Sequence, residues 1–404
     1  MTGTPRPIDQ GTAYGRKPAQ SNKLLTEVGP GKPMGELMRR YWQPVALSEQ
    51  ATTRPKKIRI LGENLILFRD RKGRPGLVYP RCMHRGTSLF YGKVEDEGIR
   101  CCYHGWLFGV DGTCLDQPCE PEHGLHREVA RQPWYPVEER YGLVFAYLGP
   151  AEKKPVLPRY DVLEGLKSDE RYVASIGGQG ATGDDSFEIV PYSWLHMNDN
   201  VMDPFHVQVL HTTFTVVQFV AEFSVMPKCD FYPVDDGVCY SAYRKLDDGR
   251  EVDRISHWMM PSIMSVPSIF FDAGPSTSIG WVVPADDESY FQVNVRKSRD
   301  SKRFSLAIDG KLWKEKTEEE KQDVPSDYEA QVGQGKISLH SEEHLATSDR
   351  GVALQRRMLE QQMKLVQEGG DPAGVSFDPD TATVHVRSGN FFHADKAREP
   401  VPAE

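Results

Sequence analysis

Residue types that bind metals occur as two close pairs in the first third of the chain. One residue separates Cys82 from His84, two separate Cys101 from His104, and sixteen lie between the pairs. A tight loop can point both side chains of such a pair at one metal centre. Thiolate and imidazole ligands suit zinc or an iron–sulfur cluster. The spacing therefore predicts one metal site with these four residues as its ligands.

Two kinds of centre fit this ligand set. Two cysteines on one iron and two histidines on the other describe a Rieske [2Fe–2S] centre, which passes electrons one at a time. A structural zinc site with two cysteines and two histidines is the alternative. Only Cys101 keeps the two-residue gap to His104, so the adjacent Cys102 is interpreted as a buried small residue.

A second group of polar residues follows in the segment "NDNVMDPFHVQVLH". Asp203, His206 and His211 have the spacing D-x2-H-x4-H, and Asn200 lies three residues before the aspartate. Two imidazoles and a carboxylate from elsewhere would form the facial triad of non-haem Fe(II) sites, which leaves positions open for O2 and substrate. Residues five apart on a straight helix point about 140° apart, so both histidines can share a metal only if the helix distorts. Asp203 and His206 are expected to share a face.

Composition narrows the functional classes. The 404 residues carry a formal net charge of −9 without a basic block, which disfavours a nucleic-acid role. The seven cysteines are odd in number and clustered with histidine, which indicates metal binding in a reducing compartment rather than a disulfide framework. Because no apolar run reaches membrane-spanning length, we expect a soluble cytoplasmic protein with a flexible tail over residues 1–22.

The distribution of strand, turn and helix signals along the chain predicts two folded parts. Short strands and turns from Lys57 to Tyr147 indicate a small antiparallel β domain, closed by Gly149-Pro150 and a charged linker. Beyond residue 150 we predict a helical segment around 192–211, strands at 278–284 and 290–297, and a charged loop over 309–323. A last helix is predicted over 351–370, with Ser348 or Asp349 as N-cap.

These motifs resemble those of a known family. "CMHRG" and "CCYHGW" look like the two ligand loops of Rieske domains in ring-hydroxylating oxygenases, and D-x2-H-x4-H resembles their catalytic iron motif. Downstream, "SDYEAQVGQGKISLHSEEHLATSD" resembles the pattern of phthalate-dioxygenase-type oxygenase (alpha) components, a group that includes phenoxybenzoate dioxygenases and dehydrodivanillate O-demethylase. The resemblance covers nearly the whole chain.

The resemblance implies an α+β fold. The expected organisation is an antiparallel β Rieske domain with an N-terminal helix over residues 23–150, and a mononuclear iron catalytic domain over 151–388. The catalytic domain would have a central antiparallel sheet flanked by helices. A second tail is expected over 389–404.

The resemblance also implies residue roles. His206 and His211 match the imidazole ligands of the mononuclear Fe(II), and Asn200 matches an Asn near the iron. Asp203 matches the carboxylate that bridges a catalytic histidine to the Rieske histidine of a neighbouring subunit, here His104.

The third iron ligand must come from further along the chain. Asp323, Asp327, Glu329 and Asp349 are the candidates, and the match of the downstream segment favours Asp327. The alternative is that Asp327 is an exposed residue after the charged loop. His196, His340 and His344 are weaker alternative ligands.

The family resemblance further implies a terminal oxygenase that uses O2 to oxidise an aromatic carboxylate, by O-demethylation or by ring hydroxylation. No βαβ dinucleotide-binding unit is predicted in the chain, so NAD(P)H would act only indirectly, through a separate ferredoxin and/or flavin reductase. A homotrimer or hexamer with head-to-tail contacts is expected. The rivals are a Rieske electron-transfer protein without oxygenase chemistry and a zinc-stabilised interaction protein.

Residues that would bind the substrate are less clear in the sequence. Arg244, Arg254 and Arg296 could hold an acidic substrate, but surface charge is the expected role of each. The apolar stretches 214–223 and 258–271 could line an aromatic pocket, but core strands are the expected structure.

Overall fold

The structure is a computed structural model that describes residues 18–125, 127–177, 189–299, 311 and 313–393. Most of the tail predicted over 1–22 lies outside the described residues, as does 394–404. A small part, which begins with two short helices and is otherwise built of β-strands, precedes a larger part of sheet and helices, and this confirms the predicted α+β class.

The N-terminal part consists of small antiparallel sheets with strand orders β1-β11-β10, β2-β3-β4-β9 and β5-β6-β7-β8. Its turns use glycine in the left-handed region, for example Gly62 and Gly73 with φ of 78° and 85°. The strands are β1 Trp42–Leu47, β2 Lys56–Ile60, β3 Glu63–Arg69, β4 Pro75–Val78, β5 Lys93–Glu95, β6 Gly98–Arg100, β7 Leu107–Phe108, β8 Cys114–Asp116, β9 Trp134–Tyr135, β10 Val137–Arg140 and β11 Leu143–Tyr147.

The C-terminal part is built on a large antiparallel sheet of order β13-β20-β19-β17-β16-β15-β14, to whose side β22 and β18 are added. The strands are β12 Arg159–Tyr160, β13 Arg171–Gly177, β14 Lys228–Val234, β15 Gly237–Lys245, β16 Glu251–Met259, β17 Ile263–Ser265, β18 Gly274–Pro275, β19 Ser278–Asp286, β20 Ser289–Ser298, β21 Thr383–Val384 and β22 Gly389–Phe392. The short strands β12 and β21 form a separate parallel pair.

Helices cover the sheet, with α3 against β19 and α7 against β14 and β15. The predicted last helix is confirmed, with Asp349 as N-cap and a left-handed Gly369 after its end. No helix in the described ranges has the length and apolar character needed to cross a membrane. The helices are α1 Lys23–Thr26, α2 Pro33–Arg39, α3 Trp194–Val201, α4 His206–Gln208, α5 Glu318–Asp323, α6 Asp327–Val332 and α7 Arg350–Gln367.

Three boundaries differ from the sequence prediction. The predicted tail over 389–404 is wrong at its start, because β22 pairs with β16 and extends the sheet. The predicted charged loop contains α5, which Thr317 and Glu320 stabilise through a reciprocal capping box. The single helix expected at the start of the Rieske domain is two helices, and α2 packs against α7 of the C-terminal part.

One hydrophobic core joins the two parts of the chain. Phe145 on β11 packs edge-on against Trp281 on β19, with ring centroids 5.7 Å apart, and Tyr160 contacts the same indole at 5.6 Å. A smaller apolar cluster lies beneath the loops that carry Cys82 and Cys101. The first metal-binding motif therefore lies on its own apolar cluster, and the second lies on the large core.

Candidate metal centres

The two loops of the first site have the same backbone hydrogen bonds. In each, the cysteine carbonyl accepts the N–H of the glycine four residues on, at 2.8 Å for Cys82 and Gly86 and 3.1 Å for Cys101 and Gly105. Each cysteine N–H also donates to the carbonyl five residues on, at 2.8 Å in both loops. The glycines have φ of 78° and 73°, which side-chain-bearing residues rarely adopt. The repeated turn explains why two short motifs can face each other.

The structure brings the four predicted side chains of this site together. Cys82 and Cys101 are both buried, and their thiols interact electrostatically. The imidazole centroids of His84 and His104 are 4.6 Å apart. Burial raises the pKa of the Cys82 thiol to about 11, so its thiolate requires a compensating cation. Two soft donors and two imidazoles at opposed loop tips fit an iron–sulfur cluster.

Cys102 has a different environment from its neighbour. Its side chain is exposed, whereas Cys101 is 4% exposed. The prediction that Cys102 is a buried small residue is therefore wrong. The tight turn points successive side chains in different directions, so Cys101 faces Cys82 and Cys102 faces away from it.

Two supporting residues of this site were not predicted. The fully buried Gln132 accepts the Met83 N–H at 2.8 Å and donates at 2.9 Å to the carbonyls of Tyr79 and Arg81. Its amide thereby fixes the first loop. The indole of Trp106 lies parallel to the His84 ring with centroids 4.5 Å apart. Gln132 follows the motif by about 30 positions in a loop and has no local sequence signal.

The two histidines of the second site lie on a distorted helical segment. After α4, a π-helical turn covers Val209–Thr213. A π-turn closes its hydrogen bond over five residues, so residues five apart come to the same side. The rings of His206 and His211 are 5.5 Å apart between centroids. The distortion that the spacing required is present.

Asp327 completes the second group. Its Oδ1 atom lies 3.2 Å from His211 Nε2, 3.5 Å from His206 Nε2 and 2.9 Å from Asn200 Nδ2. The donor atoms of His206, His211 and Asp327 all lie within 4.8 Å of one another. Asp327 is the buried first residue of α6, not the exposed residue of the alternative interpretation. The other carboxylates considered as the third ligand do not join this group: Asp323, Glu329 and Asp349.

The surroundings of His206 and His211 turn the Nε2 atoms of both rings toward the Asp327 carboxylate. Gln218 Oε1 lies 3.1 Å from His211 Nδ1, so this nitrogen carries a proton. Asp203 Oδ2 faces His206 Nδ1 at 3.5 Å, which is too far for a good hydrogen bond. When both rings are neutral with the proton on Nδ1, each Nε2 presents a lone pair toward the Asp327 carboxylate. Such converging lone pairs repel unless a proton or a metal ion lies between them. Two imidazoles and a carboxylate fit mononuclear Fe(II).

Neighbouring groups keep the Asp327 carboxyl ionised. Burial raises the pKa of this carboxyl, but the imidazoles of His211 and His206 and the Asn200 amide outweigh it and hold the pKa well below the usual range. Burial likewise opposes protonation of His206, while the nearby Asp203 carboxylate and the charge of Asp327 raise the pKa above the usual value. The site thus holds a fixed negative charge in an otherwise enclosed space.

Asp203 forms the turn that begins α4. Its Oδ1 atom accepts the N–H groups of Phe205 at 2.9 Å and His206 at 3.3 Å. Burial raises the pKa of Asp203, but the nearby His206 imidazole and these N–H groups lower it overall. The side chain remains 31% exposed, so it faces both His206 and the surface.

Other histidines stay outside the second site. His196, His340 and His344 are not part of the group of donor atoms that could hold a metal. Both ring nitrogens of the buried His196 lack a hydrogen-bond partner. Its ring stacks on Tyr192 instead, with centroids 5.3 Å apart.

The predicted core strand over 214–223 is wrong. This segment is a loop that ends in a 3-10 turn, and Phe214, Val216 and Val217 are exposed. Two of its residues serve the second site without having been predicted. Gln218 contacts His211 as described, and the Phe219 ring stacks on the His211 ring with centroids 4.0 Å apart.

Comparison with known proteins agrees with these two centres. The profile of the Rieske [2Fe-2S] domain matches residues 41–136. The alpha subunit of phenoxybenzoate dioxygenase from Ectopseudomonas oleovorans is 56% identical over 95% of this chain and 94% of its own length. The chain belongs to the oxygenase components of the Rieske oxygenases. The oxygenase subunit of 5,5'-dehydrodivanillate O-demethylase from a Sphingobium species is 31% identical over 89% of this chain and 84% of its own.

Solved structures share the fold of this Rieske oxygenase. The oxygenase in the ferredoxin complex of carbazole 1,9a-dioxygenase aligns with a TM-score of 0.55 at 22% identity, over 84% of this chain and 95% of its own. The protein is an oxidoreductase that depends on a [2Fe–2S] cluster and a mononuclear iron. When bound, these groups supply single-electron transfer and O2 activation.

Proposed function

We propose that this oxygenase component adds O2 to the ring of an aromatic carboxylic acid of the phenoxybenzoate class. The observation that carries the reaction type is the His206, His211 and Asp327 group, which a Rieske electron carrier would not need. The substrate class is supported by the 56% identity with a phenoxybenzoate dioxygenase subunit over 95% of the chain. O-demethylation of a methoxylated aromatic acid is the second candidate, because an O-demethylase subunit is 31% identical.

The proposed ligands of the two centres follow from the geometry. Cys82 and Cys101 would hold one iron of the Rieske cluster, and His84 and His104 the other. His206, His211 and Asp327 would hold the mononuclear iron, each histidine through Nε2. Asn200 would steady the Asp327 carboxylate through its 2.9 Å hydrogen bond.

We assign Asp203 the role of connecting the two kinds of centre between subunits. One side of its carboxylate meets His206, and the partly exposed side would accept a hydrogen bond from His104 of the partner subunit. A carboxylate between two imidazoles orients both rings and fixes their tautomers. Asp203 would thus join the Rieske ligand of one copy to the iron ligand of the next.

Exposed apolar side chains support a head-to-tail oligomer. Met83, Tyr91 and Tyr103 project around the Rieske loops. Val209, Phe214, Val216, Val217 and Met226 form a second exposed group beside the mononuclear site. Covering such groups against a second copy would remove apolar surface from water and bring His104 to Asp203. A cyclic trimer, or a hexamer of two trimers, satisfies every such contact.

A separate partner would supply the electrons. The described part of the chain forms no βαβ dinucleotide-binding unit, so the NAD(P)H electrons would arrive through a ferredoxin and/or a flavin reductase. The structure of a related oxygenase in complex with its ferredoxin supports such a partner. We place the enzyme in the cytoplasm, where free cysteines and the reducing partner are compatible.

Product analysis under aerobic turnover tests the proposal. The full-length oxygenase, loaded with cluster and iron, would be mixed with NADH, a surrogate reductase and 3-phenoxybenzoate or a methoxylated aromatic acid. We expect a diol or a cleaved ether from 3-phenoxybenzoate, without formaldehyde. The matched control is Asp327→Ala, which should keep the red-brown Rieske colour and lose the product.

The alternative outcomes assign the enzyme differently. Formaldehyde together with a demethylated phenol would favour the O-demethylase candidate. O2 uptake without any modified acid would reject both substrate classes. Two irons per chain rather than three, with no product, would contradict the mononuclear site itself.

A further inference from the structure

Two arginines lie inside the C-terminal part, beyond the second metal site. Arg254 on β16 pairs in register with Ala242 on β15, and Arg244 lies two positions further along β15 on the same face. Arg244 is 2% exposed and Arg254 is 5% exposed. The prediction that these two arginines carry surface charge is therefore wrong.

Neither guanidinium has an acidic partner. Arg254 donates to the carbonyls of Pro267 and Ser268, both at 2.7 Å, and to Asn390 Oδ1 at 3.0 Å. Arg244 donates through Nε to the Val225 carbonyl at 3.0 Å, and its buried Nη1 has no partner. Among the residues that the structure describes, no Asp or Glu oxygen lies within 4.0 Å of either group.

Two buried cations without an anion are unfavourable. Burial lowers the pKa of both, that of Arg254 to about 10, and the charge of Arg244 adds to the effect on Arg254. A buried charge is normally paired, because water no longer stabilises it. An anion that binds between the strands and the overlying loops would supply the missing partner.

Aromatic rings connect this pair of cations to the second metal site. The ring of Phe223 lies 5.2 Å from the guanidinium carbons of both arginines. Phe219 is 5.9 Å from Phe223 and stacks on the His211 ring at 4.0 Å. A row of rings therefore runs from a proposed iron ligand to the arginines. An aromatic ligand with a negative end fits this arrangement.

We propose that Arg244, with the charge of Arg254 beside it, forms the subsite that binds the carboxylate of the aromatic substrate. The unpartnered Nη1 of Arg244 donates to the carboxylate, and the Phe219 and Phe223 rings pack against the substrate ring. This inference rests on the proposed function, since it takes an aromatic acid as the substrate. It identifies Arg244 as the residue that makes the enzyme bind aromatic acids more tightly than their neutral analogues.

Binding to the loaded, full-length enzyme tests the subsite directly. Isothermal titration would measure Kd for 3-phenoxybenzoate and for the neutral 3-phenoxybenzyl alcohol. In Arg244→Gln we expect Kd for the acid to rise about 10- to 100-fold, the loss of one charged hydrogen bond. Kd for the alcohol should change less than about threefold, on the same scale. Arg250→Gln is the control, because Arg250 is an exposed cation on the adjoining turn.

Stability provides a second measurement. Because Arg244 is an unpaired buried cation, Arg244→Gln should leave the Tm of the ligand-free enzyme unchanged or higher. Binding the acid should raise the Tm of the wild-type enzyme more than binding the alcohol does. If the variant does not fold, an equal shift with acid and alcohol in the wild-type enzyme overturns the subsite. If Arg244→Gln folds and loses affinity for the acid and for the alcohol equally, the subsite is also overturned.

Benzoate and phthalate separate this inference from the proposed function. Arg244-dependent binding of benzoate without binding of 3-phenoxybenzoate would reject the phenoxybenzoate assignment and support the anion subsite. Binding of 3-phenoxybenzoate that does not depend on Arg244 would support the substrate and overturn the subsite. If no acid binds in an Arg244-dependent way, the subsite is wrong.

Discussion

Gln218 fixes the His211 ring between two oxygen atoms. Oε1 of Gln218 lies 3.1 Å from His211 Nδ1, and Oδ1 of Asp327 lies 3.2 Å from Nε2 of the same ring. The Gln218 amide nitrogen donates to the carbonyls of Leu210 and Pro325 at 3.1 and 2.8 Å, so its oxygen must face the ring. One buried amide thereby sets the tautomer of His211 and ties it to the segment that leads into Asp327.

The first prediction concerns this amide. Gln218→Leu should lower the affinity of the second site for Fe(II) by about 10- to 100-fold, because the ring loses the partner that orients it. The Rieske cluster should stay filled, since its ligands lie on other loops. Iron per chain after dialysis against a graded chelator measures the affinity, and visible absorbance reports the cluster.

Gln208→Leu is the matched control for Gln218. The Gln208 side chain donates to the Ser224 carbonyl at 3.0 Å and forms no hydrogen bond with the His206 or His211 ring. The Co(II)-substituted proteins add a spectroscopic comparison, because a reoriented His211 should alter the visible bands of the metal. A Gln218→Leu protein with wild-type iron retention and wild-type cobalt bands would refute the positioning role.

The second prediction separates the adjacent cysteines. Cys101→Ser should purify colourless and without acid-labile sulfide, because Cys101 is buried against Cys82. Cys102→Ser should keep the red-brown colour, because the exposed Cys102 side chain lies on the other side of the turn. Visible spectra and sulfide assays of the two variants decide the matter. The opposite pattern would show that the loop uses Cys102.

Local spacing explains why the metal motifs could be predicted. Cys82 with His84, and Cys101 with His104, lie within single turns whose geometry follows from a few residues and a glycine. Because His206 and His211 are five residues apart, they can share a metal only on a distorted helix, and the π-turn provides that distortion. Asp327 came from a similarity of pattern and not from spacing.

Long-range contacts were harder to predict. Gln218 and Gln132 act through single amides that no local pattern distinguishes from surface glutamines. The strand β22 is four residues long and depends on its pairing with β16, more than a hundred positions away. Whether this segment forms a strand is decided by its tertiary contacts and not by the intrinsic β propensity of its residues.

Two local sequence patterns do indicate features of the structure that the predictions missed. In β15 the alternate positions Val238, Tyr240 and Ala242 are buried, and Arg244 continues the same series. Period-two alternation thus placed Arg244 on the inner face. The Thr317 to Glu320 capping box likewise indicated the start of a helix inside the predicted loop.

The third prediction concerns Asp203. Asp203→Asn should retain three irons per chain and lower turnover by on the order of 100-fold, as for other residues that orient metal ligands. The neutral amide would orient the two imidazoles poorly and would no longer balance their charge. Asp248→Asn, at an exposed turn, is the control.

Single-turnover measurements locate the Asp203 effect. With a pre-reduced cluster, substrate and O2, the Asp203→Asn enzyme should reoxidise its Rieske centre more slowly while binding substrate with unchanged Kd. Turnover equal to that of the wild-type enzyme would contradict the proposed link between subunits.

The last prediction concerns acid stability and His196. Burial, followed by the charges of His340 and Arg356, lowers the pKa of His196 to about 4 from 6.5, although Glu343 opposes this shift. Above pH 6.5 the ring is neutral in the folded and the unfolded chain, so it has no effect. Between pH 6.5 and 4 only the unfolded chain binds the proton, so stability falls as the pH drops, by up to about 3 kcal/mol.

His196→Phe isolates this effect, because the ring nitrogens have no partner to lose and phenylalanine can still stack on Tyr192. Denaturant unfolding at pH 7 and pH 5 should show a smaller acid loss in the variant, by about 2 kcal/mol. The lowered pKa of His340 acts equally in both proteins and cancels in the comparison. His385→Phe, at an exposed histidine, should behave like the wild-type protein. An identical acid loss in His196→Phe and the wild-type protein would mean that His196 already accepts its proton in the folded chain.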